Sequence, residues 1–418
     1  MDTSKERIQN TLDQFNVIGP TEQGIQRLAY TKEEKRAHEL LIELCSQEKM
    51  NVRIDEAGNV IARRAGRLPN APAVAVGSHL DTVYTGGKFD GTAGVVAGLE
   101  LIRRLNEKDA ISENPIELIC FAAEESSRFG MSTIGSKAMV GKMTKEEMEK
   151  LKDKMGIKFT DAIKSAGLDK QSFLNAKKEK NEYRAFIELH IEQGLELEQS
   201  NKKIAIVTGI ASPTRLNVVV LGRAAHSGTT SMEMRKDALV AAAQLVLEIE
   251  KAAKKEKKYK TVATVGVFDV SPGAMNVVPG MVQLKVDIRG LDNNSKQRVI
   301  TEIEYQCKSI QRCKDIEIKM ETISKEEPVH LDKEIQEQLK WACEDIKVEA
   351  LLIPSGAGHD AMNMANLCPT GLLFIPSYKG ISHNPEEYSD IDDLVTGVDV
   401  LERVVTRLAV TKERGVKQ

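Results

Sequence analysis

The stretch Val74–Leu105, VAVGSHLDTVYTGGKFDGTAGVVAGLELIRRL, determines the fold that we expect for this chain. It begins with an apolar run, passes through a glycine-containing loop and continues from Gly94 with apolar residues at helical spacing. A second apolar run, Ile116–Ala122, follows it. The order strand, loop, helix, strand is typical of an α/β layer, in which ligands bind at the carboxyl ends of the strands.

Further elements of this layer can be read on both sides of that stretch. Apolar spacing predicts a helix over Thr31–Ser46, and β-rich runs predict strands over Asn59–Arg63 and Phe186–Leu189. The charged segment Lys142–Glu182 has little β character, and we expect it to form surface helices inserted between two strands.

A different rhythm begins near Arg215. Its predicted order, βαββαβ, is that of a ferredoxin-like unit. The elements are strand Leu216–Leu221, helix Asp237–Lys255, strands Thr261–Val267 and Val282–Arg289, helix Ser295–Cys313 and strand Ile316–Ile323. Because the α/β pattern resumes after about Leu331, we expect an α/β protein in which a mixed-sheet domain, residues 1–213 and 331–418, carries an inserted domain, residues 214–330.

Composition excludes several classes of partner. The 59 Lys and Arg residues against 62 Asp and Glu give a net charge of −3, which leaves no basic excess for a nucleic acid backbone. No apolar run approaches the length that a membrane span requires, and the N-terminus lacks the apolar core of a secretory signal. The six cysteines are scattered, which argues against a disulfide framework or a thiolate zinc site. We therefore expect a cytoplasmic protein.

Three of the seven histidines lie at predicted strand ends or in loops. His79 ends the strand that begins at Val74 and can bind a metal. Asp81 lies two residues on, where its carboxylate can orient the His79 ring. His190 ends the strand near Phe186, and His383 lies in a loop. Each histidine alone is more typical of a satisfied core or loop residue, whereas the three together indicate a metal site.

Carboxylates occur in the same kinds of position. Asp90 follows two glycines before the helix at Gly94, where it can be a helix N-cap or reach back over the strand ends. Glu124 and Glu125 follow the strand that begins at Ile116; adjacent acids there are either surface groups or need a cation to offset them.

Together these residues form a mixed imidazole and carboxylate set. His79, Asp90, Glu125, His190 and His383 suit two divalent ions, Zn, Mn, Co or Ni, if one carboxylate bridges and each ion has two further ligands. Two such ions activate water and polarise a carbonyl. Glu124 is then the acid left over to serve as general base, so the set predicts a hydrolase.

The inserted domain carries three further candidate residues. His226, in a turn of small residues, can donate to a developing oxyanion. Asn276 supplies an amide, and Arg289, at the end of a strand, supplies a guanidinium that either grips a substrate carboxylate or forms a sheet-edge salt bridge.

In order along almost the whole chain, eight motifs resemble the N-carbamoyl-L-amino-acid hydrolase and allantoate amidohydrolase branch of the dinuclear-metal aminoacylase and carboxypeptidase family. They are GSHLDTV (Gly77–Val83), GGKFDG (Gly86–Gly91), EESSRFG (Glu124–Gly130), ELHIEQG (Glu188–Gly194), HSGTTSM (His226–Met232), NVVPG (Asn276–Gly280), SGAGHDA (Ser355–Ala361) and GISHNPEE (Gly380–Glu387).

The resemblance implies a metallopeptidase-like catalytic domain and an inserted dimerisation or lid domain. It implies that His79 and His190 bind one ion, that Glu125 and His383 bind the other, and that Asp90 bridges them, with Glu124 as base and Asp81 behind His79. It also implies a homodimer in which His226 and Asn276 reach the partner's active site. Substrate contacts are expected from Gln193, Arg215, Asn276, Arg289, Gly358 and His359.

The substrate expected from the resemblance is a small molecule that bears a carboxylate. The leading expectation is an N-carbamoyl-L-amino acid, hydrolysed to the amino acid, carbon dioxide and ammonia; allantoate comes second, and an N-acyl amino acid or dipeptide third. Ser231 stands where relatives often carry proline, so the substrate is the least defined part of the prediction. A metal-stabilised dimer that binds carboxylates without turnover is the alternative from another class.

Overall fold

The computed structural model of the protein describes residues 3–410. These residues form two compact units, one built from the chain up to Thr208 and from Leu331 onward, and the other from Gly209–His330. The strands, in chain order, are β1 Pro20–Thr21, β2 Gly24–Ile25, β3 Asn51–Ile54, β4 Val60–Arg64, β5 Ala73–His79, β6 Ile116–Phe121, β7 Tyr183–Ile191, β8 Ile204–Ile210, β9 Ser212–Leu221, β10 Ala225–His226, β11 Val262–Ser271, β12 Val277–Val278, β13 Met281–Gly290, β14 Glu317–Lys325, β15 Val329–His330, β16 Ala350–Ser355 and β17 Thr370–Ile375.

Most of the helices carry a side-chain cap at the N-terminus; Thr31, for example, accepts a hydrogen bond from the backbone N–H of Glu34. The α-helices are α1 Ser4–Asn16, α2 Lys32–Gln47, α3 Thr92–Glu107, α4 Ile134–Met139, α5 Lys145–Lys150, α6 Phe159–Ser165, α7 Glu196–Ser200, α8 Ala238–Lys255, α9 Asn293–Lys314, α10 Lys333–Asp345, α11 Ala361–Met364 and α12 Ile391–Leu408.

A mixed sheet forms the centre of the first unit. Its strands run in the order β8-β17-β7-β5-β6-β4-β3, and β16 also pairs with β8. The four central strands, β17, β7, β5 and β6, are parallel, whereas β8, β4 and β3 pair antiparallel with their neighbours. The carboxyl ends of the four parallel strands therefore meet at one edge of the sheet, which is the position that favours a ligand site.

Helix α3 packs directly on this sheet. Its residues from Thr92 to Ile102 are all buried, since β5, β6 and β7 lie on one side and α1 and α12 on the other. The helix approaches closely at Gly94, where a Cβ would lie 2.2 Å from the carbonyl oxygen of Leu189. This close packing explains why the helix is mostly apolar up to Ile102 and carries small residues, and its one buried acid in that stretch, Glu100, is paired with Arg7.

The segment 142–182 differs from the sequence prediction of solvated surface helices. Helices α5 and α6 form as expected, but Phe159, Ile163 and Phe173 are fully buried in an apolar cluster of their own. The Phe159 ring packs edge-on against Tyr30, with 5.5 Å between ring centroids. The charge of this segment obscured its apolar face, because the apolar residues are spaced more widely than in a single long helix.

The second unit is a four-stranded antiparallel sheet in the order β11-β13-β9-β14 with α8 and α9 on one face. Residues alternate along β13, where Val282, Leu284 and Val286 are buried and the intervening polar residues are more exposed. The predicted α/β class, with a mixed sheet, and the βαββαβ order are confirmed. The unit begins at Gly209 rather than at residue 214, because β9 starts at Ser212 and Gly209–Ile210 pairs with β15.

None of the helices within residues 3–410 combines the length and the apolar character needed to cross a membrane.

Gly77, in β5, is expected to be essential for stability because a Cβ there would lie 1.9 Å from the backbone carbonyl oxygen of Ile119 in β6. We expect Gly77→Ala to lower the free energy of unfolding by about 1 to 3 kcal/mol, as other forced overpacking does. Gly356→Ala is the control, since a Cβ there meets nothing within 4 Å. The check is the chemical unfolding midpoint of both variants; equal midpoints would contradict the packing seen between β5 and β6.

Candidate metal centre

The predicted ligands converge at the carboxyl edge of the parallel strands. His79 is the last residue of β5 and His190 lies next to the last residue of β7. Glu125 follows β6, and His383 lies in the loop after β17. Neighbouring parallel strands end at the same edge, so side chains far apart in sequence are placed side by side.

Asp90 lies at the centre of this group and contacts all three imidazoles. Its Oδ1 is 3.1 Å from Nε2 of His190 and 3.7 Å from Nε2 of His79. Its other oxygen, Oδ2, is 3.2 Å from Nε2 of His383, which in turn is 3.1 Å from Oε1 of Glu125. One carboxylate thus faces two separate pairs of side chains, as a bridging ligand does. The alternative role of Asp90 as a helix cap is not seen, since α3 has Gly91 at its N-cap and no side-chain cap.

The five predicted ligands fall into two sets whose ligand atoms lie within 4.8 Å of one another. One set is His79, Asp90 and His190, and the other is Asp90, Glu125 and His383. Both sets mix imidazole nitrogen with carboxylate oxygen, which suits Zn, Mn, Co or Ni better than the all-oxygen preference of Mg or Ca. These residues fit a centre for two divalent ions.

The pKa values of the side chains in this cluster are shifted, because the groups are buried and lie close to opposite charges. Burial opposes ionisation of Asp90, yet its hydrogen bonds with His190 and His383 hold its pKa well below the usual range. For His79, burial acts to lower the pKa, but the negative charges of Glu124 and Asp81 outweigh it and raise the pKa well above the usual value. Hydrogen bonds with Asp90 and Glu125 raise the pKa of His383 to about 11. The neighbouring carboxylates thus raise the pKa values of His79, His190 and His383, which favours a proton on these rings.

Asp81 orients more than the His79 ring. Its carboxylate accepts hydrogen bonds from the backbone N–H groups of Glu124 (3.0 Å) and Glu125 (2.9 Å). Nδ1 of His79 lies 3.0 Å from the backbone carbonyl oxygen of Asp81 and 3.5 Å from its Oδ1. Asp81 therefore connects the end of β5 with the acid pair that follows β6.

Glu124 lies beside the ligand sets but belongs to neither of them. Its Oε2 is 3.7 Å from Nε2 of His79, and its side chain is buried. Burial, with the nearby charge of Glu125, raises the pKa of Glu124 well above its usual value. The residue before it, Ala123, has a φ of 53°, a left-handed conformation that a non-glycine residue adopts only when its surroundings impose it.

Gly91 shows why a glycine follows the central aspartate. Its φ is 63°, and a Cβ at this position would lie 2.5 Å from the His79 ring. Its backbone N–H also points at Nε2 of His190, at 3.3 Å. Glycine is therefore required both by the backbone conformation and by the two imidazoles that close over it.

Glu387 and Ser382 hold Asp90, and the sequence analysis gave neither a role. Oε1 of Glu387 accepts hydrogen bonds from the backbone N–H groups of Phe89 (2.8 Å) and Asp90 (3.0 Å). The Ser382 hydroxyl lies 2.7 Å from Oδ2 of Asp90 and 3.1 Å from Glu387. Both residues lie in the quoted motif GISHNPEE, so the available signal was their closeness to His383 in sequence.

Three residues of the first unit were predicted to contact substrate. The Gln193 side-chain amide donates to Oδ2 of Asp90 (2.9 Å) and to Ser382 (3.0 Å). Gly358 is exposed in the loop after β16. His359 is buried, with its ring centroid 4.6 Å from that of His190 and its Nε2 2.9 Å from the Ser355 hydroxyl. Gln193 and His359 thus lie against metal-ligand side chains.

The other predicted residues lie in the second unit, at two ends of its sheet. His226 and Asn276 are neighbours beyond the end of β9: β10 and β12 pair there, and Ser227 donates its N–H to the Asn276 carbonyl. Nδ1 of His226 accepts the backbone N–H groups of Gly228 and Thr229, at 3.1 and 3.3 Å. In neutral His226 the ring hydrogen is therefore on Nε2, which leaves that nitrogen as a donor.

Arg215 and Arg289 lie at the opposite end of the same strands. Both face Asp287: Arg289 with Nε and Nη2 each 3.2 Å from a carboxylate oxygen, and Arg215 with Nε at 3.7 Å. The salt-bridge alternative for Arg289 is therefore present. Two guanidinium groups therefore lie together at this end of the sheet, on either side of one carboxylate.

Several known proteins are similar to this chain along most of its length. The model of peptidase family M20/M25/M40 matches residues 75–407. An N-carbamoyl-L-amino-acid amidohydrolase of Pseudomonas sp. (strain NS671) is 37% identical over 95% of this chain and 97% of its own length. A ureidoglycolate hydrolase of Arabidopsis thaliana is 35% identical over 96% and 86% of the two chains. An allantoate amidohydrolase of Bacillus subtilis (strain 168) is 34% identical over 92% and 93%.

A solved structure has the same fold along its whole length. It is described as an amidase of the hydantoinase/carbamoylase family from Burkholderia multivorans, and it aligns with a TM-score of 0.90 at 32% identity, covering 98% of each chain. The resemblance drawn from the eight motifs is confirmed, as is the amidohydrolase class.

Metal affinity is expected to rise with pH. Because Asp90 and Glu125 raise the pKa of His383 to about 11, and the pKa values of His79 and His190 are also raised, metal must displace protons from these rings. Below those pKa values, affinity should rise about tenfold per pH unit for each proton displaced. The measurement is competition for Co²⁺ between chelator-stripped protein and a chromophoric chelator, at several pH values from about 6 to 8.

Two variants calibrate that measurement. His383→Ala should weaken binding and reduce the pH slope by about one proton, because one protonated ring is lost. His330→Ala, which alters an exposed histidine of β15, should change neither quantity. An affinity that is independent of pH in the unaltered protein would contradict the protonated state of the cluster.

Proposed function

This chain belongs to peptidase family M20/M25/M40, and from that premise we propose that it hydrolyses the ureido C–N bond of an N-carbamoyl-L-amino acid with two divalent ions. The observation that carries the proposal is the position of Glu124. It is a buried acid 3.7 Å from His79 that belongs to neither ligand set. A carboxylate kept beside two metal positions without being a ligand is suited to act as a general base.

Asp90 lies between two pairs of expected ligands. His79 and His190 would hold one ion, Glu125 and His383 would hold the other, and Asp90 would be shared by both; Zn, Mn, Co and Ni all suit this set. When bound, the ions supply a water of lowered pKa and polarise the scissile carbonyl. The other steps fall to side chains of the chain itself.

Glu124 is the proton carrier. Burial and Glu125 raise its pKa well above the usual value, which brings a carboxylate towards the range in which it can both take and return a proton near neutral pH. It takes a proton from the attacking water and delivers it to the leaving nitrogen. Asp81 fixes the direction of this carboxylate through the backbone N–H groups of Glu124 and Glu125.

Recognition of the substrate is assigned to the second unit. Arg215 and Arg289 lie together beside Asp287, and the planar guanidinium fork of an arginine suits the carboxylate of an N-carbamoyl amino acid. His226 has Nε2 as a donor for the oxyanion that develops on the ureido carbonyl, and Asn276 lies next to it. Gln193, Gly358 and His359 are the proposed contacts from the first unit.

Allantoate and ureidoglycolate are the second candidate substrates. Relatives of similar identity carry the names allantoate amidohydrolase and ureidoglycolate hydrolase. Both molecules join a carboxylate to a ureido group through one carbon, as an N-carbamoyl amino acid does, so the same side chains can serve all three.

Ammonia release should identify the substrate and the base. With Co²⁺, Mn²⁺ or Zn²⁺ added, we expect release from N-carbamoyl-L-amino acids to exceed that from allantoate and ureidoglycolate, and release of amine from N-acyl amino acids and dipeptides to be weaker still. Glu124→Gln should lower kcat by about 10² to 10⁴ while metal content stays the same, because the base is lost and the ligands are not.

The controls separate the substrate from the mechanism. Turnover of allantoate or ureidoglycolate alone would replace the proposed substrate and leave the chemistry intact. A wild-type protein no faster than Glu124→Gln on every compound would instead support a metal-stabilised dimer that binds carboxylates without turnover.

A homodimer is the proposed assembly, and the second unit supplies a reason for it. His226 lies beyond the end of β9, whereas Arg215 lies near its start. At about 3.3 Å per residue, the intervening strand separates them by roughly 20 Å. That distance exceeds the length of a carbamoyl amino acid, so one copy cannot bring both groups to the same substrate. We propose, as the resemblance implies, that His226 and Asn276 are the groups that serve the site of the partner copy.

Mixed dimers test this assembly directly. Glu124→Gln lacks the base and His226→Ala lacks the oxyanion donor, so each homodimer should have low activity. Co-expression of the two should restore activity to about a quarter of the wild-type value, since half of the dimers are mixed and each of these has one complete site. No recovery in mixed dimers, verified by differently tagged subunits, would place His226 in its own subunit's site.

A further inference from the structure

Residues Gly24–Glu34, which we call the N-terminal segment, run beside both loops that carry the proposed catalytic groups. Ile25 and Gly86 exchange two backbone hydrogen bonds of 2.9 Å each. Two residues further on, the Arg27 N–H donates to the Thr82 hydroxyl and the Thr82 N–H donates to the Arg27 carbonyl, both at 2.8 Å. The segment thus pairs with the loop that leads from His79 to Asp90.

The Arg27 side chain connects the two ends of this loop. Its side chain is fully buried, with Nε donating to the carbonyl of Leu80 and Nη2 donating to the hydroxyl of Thr92, both at 2.9 Å. Leu80 follows His79, and Thr92 lies two residues after Asp90. A planar guanidinium with donors in fixed directions therefore sets the distance between the two ends of the loop.

The charge of Arg27 is unusual for such a buried position. None of the ion pairs seen within residues 3–410 involves it, and a third donor, Nη1, goes to the Phe15 carbonyl. Burial lowers the pKa of Arg27 to about 10, against the field of Asp81, so the group is still a cation near neutral pH. Burying the charged Arg27 guanidinium without an acid bonded to it costs free energy. Its carbonyl and hydroxyl acceptors are neutral and would accept equally from an uncharged donor. The negative charge of Asp81 offsets part of this cost, because it favours the charged form of Arg27.

Glu34 makes the matching contact on the other loop. Its side chain is 3% exposed, and its Oε1 accepts the backbone N–H of Ala123 at 3.3 Å, while Oε2 accepts the N–H of Tyr30. Ala123 is the left-handed residue directly before Glu124. The Arg128 guanidinium, just after the acid pair, donates to the Ala29 carbonyl of the same segment. The turn that aims Glu124 is therefore held from both sides by the N-terminal segment.

We propose that Arg27 and Glu34 are positioning residues of the hydrolase: Arg27 fixes the loop between His79 and Asp90, and Glu34 fixes the backbone from which Glu124 projects. Within residues 3–410, the side-chain hydrogen bonds of Arg27 and Glu34 go to groups other than the expected ligand side chains, and both residues precede residues 75–407, which the family model matches. The proposal rests on the proposed function for its kinetic arm only, because metal binding can be measured without a substrate.

The Glu34 arm compares three variants. Glu34→Ala removes both acceptors and should lower kcat by about 10- to 100-fold, the usual effect of removing an outer partner, with KM changed less than about threefold. Glu34→Gln keeps one acceptor and should recover most of that loss. Glu39→Ala, an exposed glutamate of the same helix, should match the wild type. If Glu34→Ala melts at a lower temperature but keeps the kcat of the wild type, Glu34 is only structural and the proposal fails.

The Arg27 arm uses metal affinity and the visible absorption of bound Co²⁺. Arg27→Lys keeps the charge but cannot reach Leu80, Thr92 and Phe15 together, so Co²⁺ affinity should fall about 10- to 100-fold and the absorption bands should shift. Arg103→Lys, a more exposed arginine on α3, is the control for a general loss of packing. Unchanged affinity and spectrum in a folded Arg27→Lys protein would overturn this role.

The two arms also separate the proposal from the function itself. A wild-type protein without turnover on any ureido acid would refute the function, while the Co²⁺ measurements would still decide the role of Arg27. If Arg27→Lys does not fold, Thr92→Val removes one of its acceptors and should weaken Co²⁺ binding in the same direction; no change in that variant would count against the proposal.

Discussion

The site depends on one buried carboxylate shared by three imidazoles. Asp90 meets His190, His383 and His79 at 3.1, 3.2 and 3.7 Å, although these residues come from three different strands or loops. A carboxylate can reach all of them only if the chain after β5 turns back over the strand ends. The left-handed backbone at Gly91 and the two amide hydrogen bonds to Glu387 make that turn.

Several further acids lie at the same edge of the sheet as Asp90. Their negative charges must be balanced by the groups around them. Asp81, Glu124, Glu125 and Glu188 are all buried near Asp90. Glu188 accepts hydrogen bonds from the Ser78 hydroxyl and from the Ala361 N–H, so each of its two carboxylate oxygens has a donor. Buried carboxylates in such number need nearby protons or cations to offset their charge, and the imidazoles around Asp90 are groups that can hold either.

Sequence patterns were informative where chemistry coincides with the end of a regular element. The β-rich runs and helical spacing indicated the parallel strands and the βαββαβ unit, and each predicted ligand lies at the end of a parallel strand or in the loop that follows one. The roles of Glu387, Arg27 and Glu34 could not be predicted in this way. Their contacts join residues 298, 53 and 89 positions apart, and each contact is made to a backbone group, which leaves no trace in residue type.

The apolar cluster around Phe159 could not be predicted for a related reason. Its members come from short helices and loops, and no single window of sequence shows the periodicity of a buried face. This cluster has a consequence for the site, because Phe159 packs against Tyr30, whose backbone N–H is held by Glu34. The helices of residues 142–182 therefore support the turn before Glu124 rather than decorate the surface. The packing of Phe159 on Tyr30 thus connects the segment between β6 and β7 to Glu34, whose other carboxylate oxygen holds the backbone directly before Glu124.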